Sequence, residues 1–248
     1  MPDISAIVIT KNEARHIGAC LAGLAWADEI LVLDSFSTDA TVDIARRFTP
    51  HVHQRPFQGF PRTRNAALDL AQGDWAFFLD ADERTTPELA EEIRNRVRES
   101  ASLSGYWVPR RNYILGRWMK HAGWSPDYQM RLFRRDRGRY DEARDPHEVV
   151  VLKGETGYLQ NPIIHYNYEF VGQLFAKQNL YSTLQAHTLH AAGLRPRPRD
   201  FFARPLREFT RRYIEEQGYR EGFHGLFLSL LLAGYELVTY AKLARIKS

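Results

Sequence analysis

The sequence predicts an α/β protein with a mostly parallel central sheet and a helical extension at its C-terminus. Short apolar, β-branched runs alternate with segments of helical spacing through the N-terminal half. That pattern buries a parallel sheet under helices on both faces. Each run also ends abruptly in polar residues, at 10–13, 34–39 and 80–83. In open α/β sheets ligands bind beyond the carboxyl ends of the strands, so three polar loops at that edge point to one shared site.

Ile4, Ile7, Val8 and Ile9 make 4–9 a buried strand, and apolar residues at helical spacing follow over 14–24. A second buried strand covers 29–33 and ends at Asp34. Thr38 or Asp39 is placed to cap a helix over 41–48. His51, Val52 and His53 form a short third strand. A helix over 62–71 ends near Gly73, and the strand 75–79 leads into two aspartates. Pro87, suited to a first helical turn, opens a charged helix to Arg98. Aromatic and basic residues then dominate, with strands at 106–111, 129–134 and 148–152. Helical spacing resumes after Phe170 with Leu174, Phe175, Leu180 and Leu184. The Pro/Arg-rich stretch 193–198 reads as an irregular arm. The apolar tail 223–243 is interrupted by Glu236 and Lys242, whereas a spanning helix needs about 20 apolar residues. It reads as a buried terminal helix or as an interfacial helix lying on a membrane.

Of the 248 residues, 44% are hydrophobic and the net charge is +4, which fits one large domain or a domain with an appendage. The cationic excess is local. Arg195, Arg197, Arg199, Arg204, Arg207, Arg211 and Arg212 crowd one stretch, a match for anionic lipid or phosphorylated sugar. A chain that is not basic throughout argues against nucleic acid. Cys20 is the single cysteine, which excludes a disulfide framework and a cysteine zinc site and fits a reducing compartment. No basic and apolar leader opens the sequence.

Asp80 and Asp82 flank Ala81 at the end of an apolar run. In an extended segment residues two apart point the same way, so both carboxylates would face one point. Two hard oxygen ligands there suit Mg²⁺, which takes one or two carboxylates plus substrate phosphates. A plain strand-ending turn is the other reading.

Four motifs in order resemble family 2 glycosyltransferases with the GT-A fold, a Rossmann-like fold of nucleotide-diphospho-sugar transferases. They are the opening strand and loop ending Thr10-Lys11-Asn12-Glu13, then Asp34-Ser35-Phe36-Ser37-Thr38-Asp39, Arg64-Asn65-Ala66-Ala67 and Asp80-Ala81-Asp82. Trp124-Ser125-Pro126-Asp127, Arg131-Leu132-Phe133-Arg134-Arg135 and His147-Glu148 resemble the branch that includes lipopolysaccharide inner-core β-1,4-glucosyltransferases. Ser35 departs from the pattern, since many members carry a second aspartate there.

The resemblance implies metal-dependent, inverting transfer of a sugar, glucose, from a UDP-sugar to a lipopolysaccharide-core or lipid-linked saccharide. It places Asp34, Thr10, Asn12 and Glu13 at the uridine and Arg62 and Arg64 at the diphosphate. Asp80 meets the ribose, or the metal through water. Asp82 is the direct ligand of Mg²⁺ or Mn²⁺, and His165 completes the coordination with a nitrogen that tilts preference toward Mn²⁺. Inversion needs a base for the acceptor hydroxyl, for which Asp127 is the first candidate and Glu148 the rival. The implied organisation is a GT-A domain over 1–168, with a nucleotide-binding half at 1–100 and an acceptor half at 101–168, and a helical extension over 169–248. The implied location is cytoplasmic, peripheral on the inner face of the cytoplasmic membrane. Two other readings stand beside this one. A nucleotidyltransferase would carry a glycine-rich phosphate loop near the first strand, and 10–18 contains none. A non-catalytic nucleotide-sugar or membrane-surface binding module would need neither base nor metal.

Overall fold

The computed structural model describes residues 3–99, 102–144 and 148–246; His147, quoted above beside Glu148, lies outside them. The chain forms two units: Met1–Arg111 with Asp127–His165, and Asn112–Pro126 with Tyr166–Ser248. The last crossing between the units falls between His165 and Tyr166. The excursion Asn112–Pro126 was not expected and interrupts the stretch 101–168.

The first unit opens with repeated strand–helix steps. Strand β1 (Ile4–Thr10) leads to α1 (Ile17–Ala22), β2 (Glu29–Asp34) to α2 (Thr41–Ala45), and β3 (Val52–Gln54) to α3 (Phe60–Leu70). Then come β4 (Trp75–Asp80), the two-residue β5 (Glu83–Arg84) and α4 (Pro87–Glu99). Strands β3-β2-β1-β4 pair in that order and all in parallel. Side chains of β4 alternate between two cores: Trp75, Phe77 and Leu79 pack with α1 and α4, while Ala76 and Phe78 pack with α3. That is the period-two pattern of a strand covered on both faces. Leu89, Ile93 and Val97, each four residues apart, form the buried stripe of α4, the spacing expected of an amphipathic helix.

The sheet continues antiparallel through β6 (Gly105–Ile114), β7 (Arg117–Trp118) and β8 (Tyr128–Arg134). Strand β8 lies between β4 and β6 and is antiparallel to both. Strands β9 (Gly138–Tyr140) and β10 (Val150–Leu152) make a separate ribbon. After β11 (Thr156–Tyr158), β12 (Ile163–Tyr168) sets His165 opposite Glu83 of β5. Asn65 of α3 is buried. It accepts the Tyr140 N–H at 2.9 Å and donates to the Tyr140 carbonyl at 3.0 Å, so one side-chain amide stands in for a neighbouring strand.

The second unit contains the β6–β7 turn, with Tyr113 opposite Trp118, and three helices: α5 (Val171–Ala191), α6 (Asp200–Thr210) and α7 (Phe223–Arg245). A π-helical turn (Arg211–Glu215) and a 3-10 turn (Gly218–Glu221) link the last two. Helix α6 lies within the stretch expected to be helical and contains Pro205, which removes an interior N–H and crowds the preceding turn; the helix nonetheless runs through it. Helix α7 is long and apolar enough to cross a membrane. Leu228, Leu232, Ala233, Tyr240 and Leu243 are buried within this unit, as in a terminal core helix.

Replacing Asn65 by Ala leaves the buried N–H and carbonyl of Tyr140 without these partners. The expected outcome is a loss of about 2–4 kcal/mol, seen as a lower urea midpoint at unchanged slope.

Candidate active site

Side chains sew together the loops after β1 and β2. Asn12, with φ of +55°, adopts the left-handed conformation that Asn tolerates better than most residues. Its Oδ1 accepts the Thr38 N–H at 2.8 Å, and its own N–H donates to Ser37 Oγ at 2.7 Å. The Glu13 N–H donates to Thr41 Oγ1 at 2.8 Å and the Ala14 N–H to Asp39 Oδ2 at 3.1 Å. Asp34 is buried at the end of β2. One of its oxygens accepts the Ser37 N–H at 2.8 Å and Gln54 Nε2 at 2.9 Å, and the other accepts the Ser37 hydroxyl. Thr10, Asn12, Glu13 and Asp34 therefore stand at one edge of the sheet. Thr10 Oγ1 is buried with no hydrogen-bond partner among the described residues.

A chain of charges runs along the end of β4. Asp80 accepts Arg64 Nη2 of α3 at 2.7 Å and Arg131 Nη2 of β8 at 2.6 Å. Arg64 Nε continues to Glu148. Arg131 Nη2 also reaches Glu83 Oε1 at 2.9 Å, and the same oxygen accepts Arg110 Nη1 at 3.2 Å. Arg110 Nε donates to Asp127 Oδ2 at 2.8 Å, and Gln129 Nε2 donates to Asp127 Oδ1 at 2.7 Å. Acid and base alternate from Glu148 through Arg64, Asp80, Arg131, Glu83 and Arg110 to Asp127. The two candidate bases are the two ends of this chain.

Arg64, Arg131 and Glu83 are buried, and buried charges persist only when paired and hydrogen-bonded. Burial opposes ionisation of Asp80, but Arg131 and Arg64 outweigh it and hold its carboxyl well below the ordinary range. Burial likewise opposes the charge on Arg131, and Asp80 and Glu83 overcome it to raise its pKa well above the usual value. Arg64, meant for a diphosphate by resemblance, is turned to these carboxylates, with its guanidinium carbon 5.7 Å from the Phe78 ring centre. Arg62 pairs with Glu142 at 3.2 Å on the exposed side of α3.

Asp82 is not on the strand. Strand β4 ends at Asp80, and Ala81 and Asp82 form a turn before β5. The Asp80 N–H, donating to Glu83 Oε2 at 3.0 Å, closes that turn. The expectation of two carboxylates on one extended segment therefore fails, and each takes different partners. Asp82 Oδ2 lies 3.5 Å from His165 Nε2. An oxygen and a nitrogen at that separation fit adjacent positions on a small divalent cation, whose other positions would go to phosphate oxygens and water. Both oxygens of Asp80 are held by arginines, so the fitting donor set is Asp82 with His165. Among the described residues no group of three or more His, Cys, Asp or Glu could hold a metal, so a cation here draws its remaining ligands from substrate or water.

The second unit holds a cavity of about 470 Å³ lined by Lys120, His121, Ser125, Pro126, Glu216 and Gln217, among others. His121 Nδ1 lies 2.8 Å from Oε1 of the buried Glu221, which also accepts the Lys120 N–H at 2.9 Å. Gly123, at φ +79°, runs so close to Glu216 that a Cβ would meet its carboxylate oxygen at 2.3 Å. None of the residues chosen from the sequence as catalytic, nucleotide or metal contacts lines this cavity.

A carboxyl held below its unfolded range stabilises the fold while ionised. The contribution of Asp80 is complete above the unfolded carboxyl value, about 3.9, and is lost as pH falls toward its lower folded value. The expected outcome is that the stability gap between wild type and Asp80→Asn is constant from pH 7 to about pH 5 and narrows below about pH 4. Urea unfolding at each pH measures it; a gap that widens toward acid overturns the assignment.

The family model for glycosyl transferase family 2 matches residues 5–154. The chain is 30% identical over 251 residues to the lipopolysaccharide core biosynthesis glycosyltransferase LpsC of Rhizobium meliloti (strain 1021), covering 97% of this chain and 91% of LpsC. It is 28% identical to an uncharacterized glycosyltransferase of Rickettsia bellii (strain RML369-C), covering 97% of this chain and 85% of that one. Among solved structures, the mannosyltransferase PcManGT of Pyrobaculum calidifontis, in complex with GDP-Man and Mn²⁺, superposes with a TM-score of 0.51 at 17% identity. That match covers 97% of this chain and 75% of the other and shows a shared fold. The match over 5–154 takes in β1 from Ser5, the paired loops and the whole charge chain: this protein is a glycosyltransferase and belongs to glycosyl transferase family 2.

Proposed function

We propose that this glycosyltransferase moves a glucosyl unit, with inversion, from a UDP-sugar to a saccharide of the lipopolysaccharide core or a similar glycolipid, using Mg²⁺ or Mn²⁺. The charge chain carries the reading. It sets a solvent-reachable carboxylate, Asp127, in the same unit as the paired loops and the Asp82–His165 pair. The LpsC relative supports the acceptor class.

In this reading Thr10, Asn12, Glu13 and Asp34 hold the uridine, within a nucleotide-binding half at 1–100. Asp82 and His165 hold the cation, which when bound supplies positive charge to the departing diphosphate. Asp127 takes the proton of the acceptor hydroxyl as that oxygen attacks the anomeric carbon. The new carbon–oxygen bond forms as the bond to the β-phosphate oxygen breaks, and the electron pair leaves with UDP. Arg110 and Gln129 fix the two Asp127 oxygens, and an ionised carboxylate keeps lone pairs beyond those two bonds. Glu148, fixed by Arg64, is the second candidate for the base. A lipid-borne acceptor places the enzyme at the inner face of the cytoplasmic membrane.

Calorimetric titration with UDP tests the metal. Mn²⁺ should tighten binding, and Asp82→Ala or His165→Ala should reduce that gain by about tenfold or more. Asp127→Asn should lower kcat by about 10²–10⁴ with UDP affinity kept; if only Glu148→Gln does so, the base is Glu148. A thermal-shift panel of nucleotide sugars including UDP-glucose and GDP-mannose identifies the donor. Stabilisation by GDP-mannose but not by UDP-glucose would sink the donor assignment.

A further inference from the structure

Helix α6 has no buried residue. Phe202 is 81% and Leu206 64% exposed. Four residues apart, they share one face of the helix. Its inner side is occupied. Phe201 packs with Ala186, Tyr240 and Leu243, and the Arg204 guanidinium carbon lies 5.5 Å from the Tyr240 ring centre.

The arginines of this stretch divide the same way. Arg204 pairs with Asp200 at 3.9 Å, Arg211 with Glu208 at 2.6 Å and with Glu216, and Arg212 with Glu208. Arg197, Arg199 and Arg207 are exposed and have no acidic partner among the described residues. Arg199, Ala203 and Arg207 follow at intervals of four and form the stripe along one side of the Phe202–Leu206 face.

We propose that α6 seats this protein on an anionic lipid surface. Phe202 and Leu206 enter the acyl boundary, and Arg197, Arg199 and Arg207 meet headgroup phosphates. Charge selects this occupant. A second copy would bring the same unpaired arginines face to face, and a neutral apolar partner would leave them without counter-charge. An anionic leaflet supplies an apolar layer and phosphates together. The inference rests for its purpose on the reading of a lipid-borne acceptor, and it moves the membrane contact from α7 to α6.

The test is co-sedimentation of the full chain, without nucleotide, with vesicles of phosphatidylcholine alone or mixed equally with phosphatidylglycerol. Binding is expected to the mixed vesicles, weakening as salt rises, and not to the neutral ones. The double variant Phe202→Ser/Leu206→Ser should bind at least about tenfold more weakly. Arg199→Gln/Arg207→Gln should lose about fivefold per cation. All should keep the wild-type melting temperature and UDP affinity, since none of these side chains is buried. No binding by wild type, or variants that bind as wild type does, overturns the proposal. So does equal binding to neutral vesicles, or a wild-type dimer in sedimentation velocity that the Phe202/Leu206 variant loses. Transfer to lipid-free core oligosaccharide is measured separately. If that transfer fails while vesicle binding holds, the acceptor reading falls and the lipid surface stands.

Discussion

Asp80 binds two arginines that arrive from different elements, Arg64 on α3 and Arg131 on β8. Most of the geometry at that edge of the first unit follows from that double pairing. Neither arginine is solvated, so each needs a carboxylate, and their second partners, Glu148 and Glu83, extend the same requirement outward. A buried ion pair contributes little net stability because desolvation offsets attraction, yet removing one partner costs roughly 3–5 kcal/mol. The value of the chain is therefore positional. It fixes where a helix, a central strand and an antiparallel strand meet.

Glu83 shows how tightly that position is held. Its Oε2 accepts the Asp80 N–H and its Oε1 accepts two arginines, so one carboxylate closes the turn and joins β8 to β6. The loops after β1 and β2 use a different device, in which short polar side chains bond directly to the facing main chain. Ser35 joins the same two loops through its main chain. It is buried, with its N–H on the Thr10 carbonyl at 2.8 Å, and an aspartate there would set a second carboxylate beside Asp34.

The parallel half was readable because each strand is an unbroken apolar run between polar loops. Residues 10–13, 34–39 and 80–83 do converge on one edge. Buried partners were harder to read. Glu83 stood in the key motif but was taken as part of a polar loop, because nothing local says that an acid after a turn is buried. Arg110 has no neighbour in sequence that announces Asp127 as its partner. The assumption that Asp80 and Asp82 share an extended segment missed the turn that Glu83 closes. Helix α6 lies inside the expected helical extension and runs through Pro205, a local signal against helix that packing of Phe201 on α7 overrides. The Arg64-Asn65 pair was recognised as a motif without its reason. Adjacent buried residues of α3 do separate work: Asn65 substitutes for a strand at Tyr140, and Arg64 joins two acids.

Arg110 and Asp127 have one more property: they are where the chain leaves the first unit and where it returns. The Arg110 N–H donates to the Asp127 carbonyl at 2.7 Å, and the side chains pair as well, so both ends of Asn112–Pro126 are clasped at a narrow neck. Loop closure entropy grows only slowly with length. Insertions, deletions or a wholly exchanged excursion beyond that clasp need not disturb the carboxylate at its base. The neck is a natural splice point, through which diversification or engineering can vary the one portion while leaving the other intact.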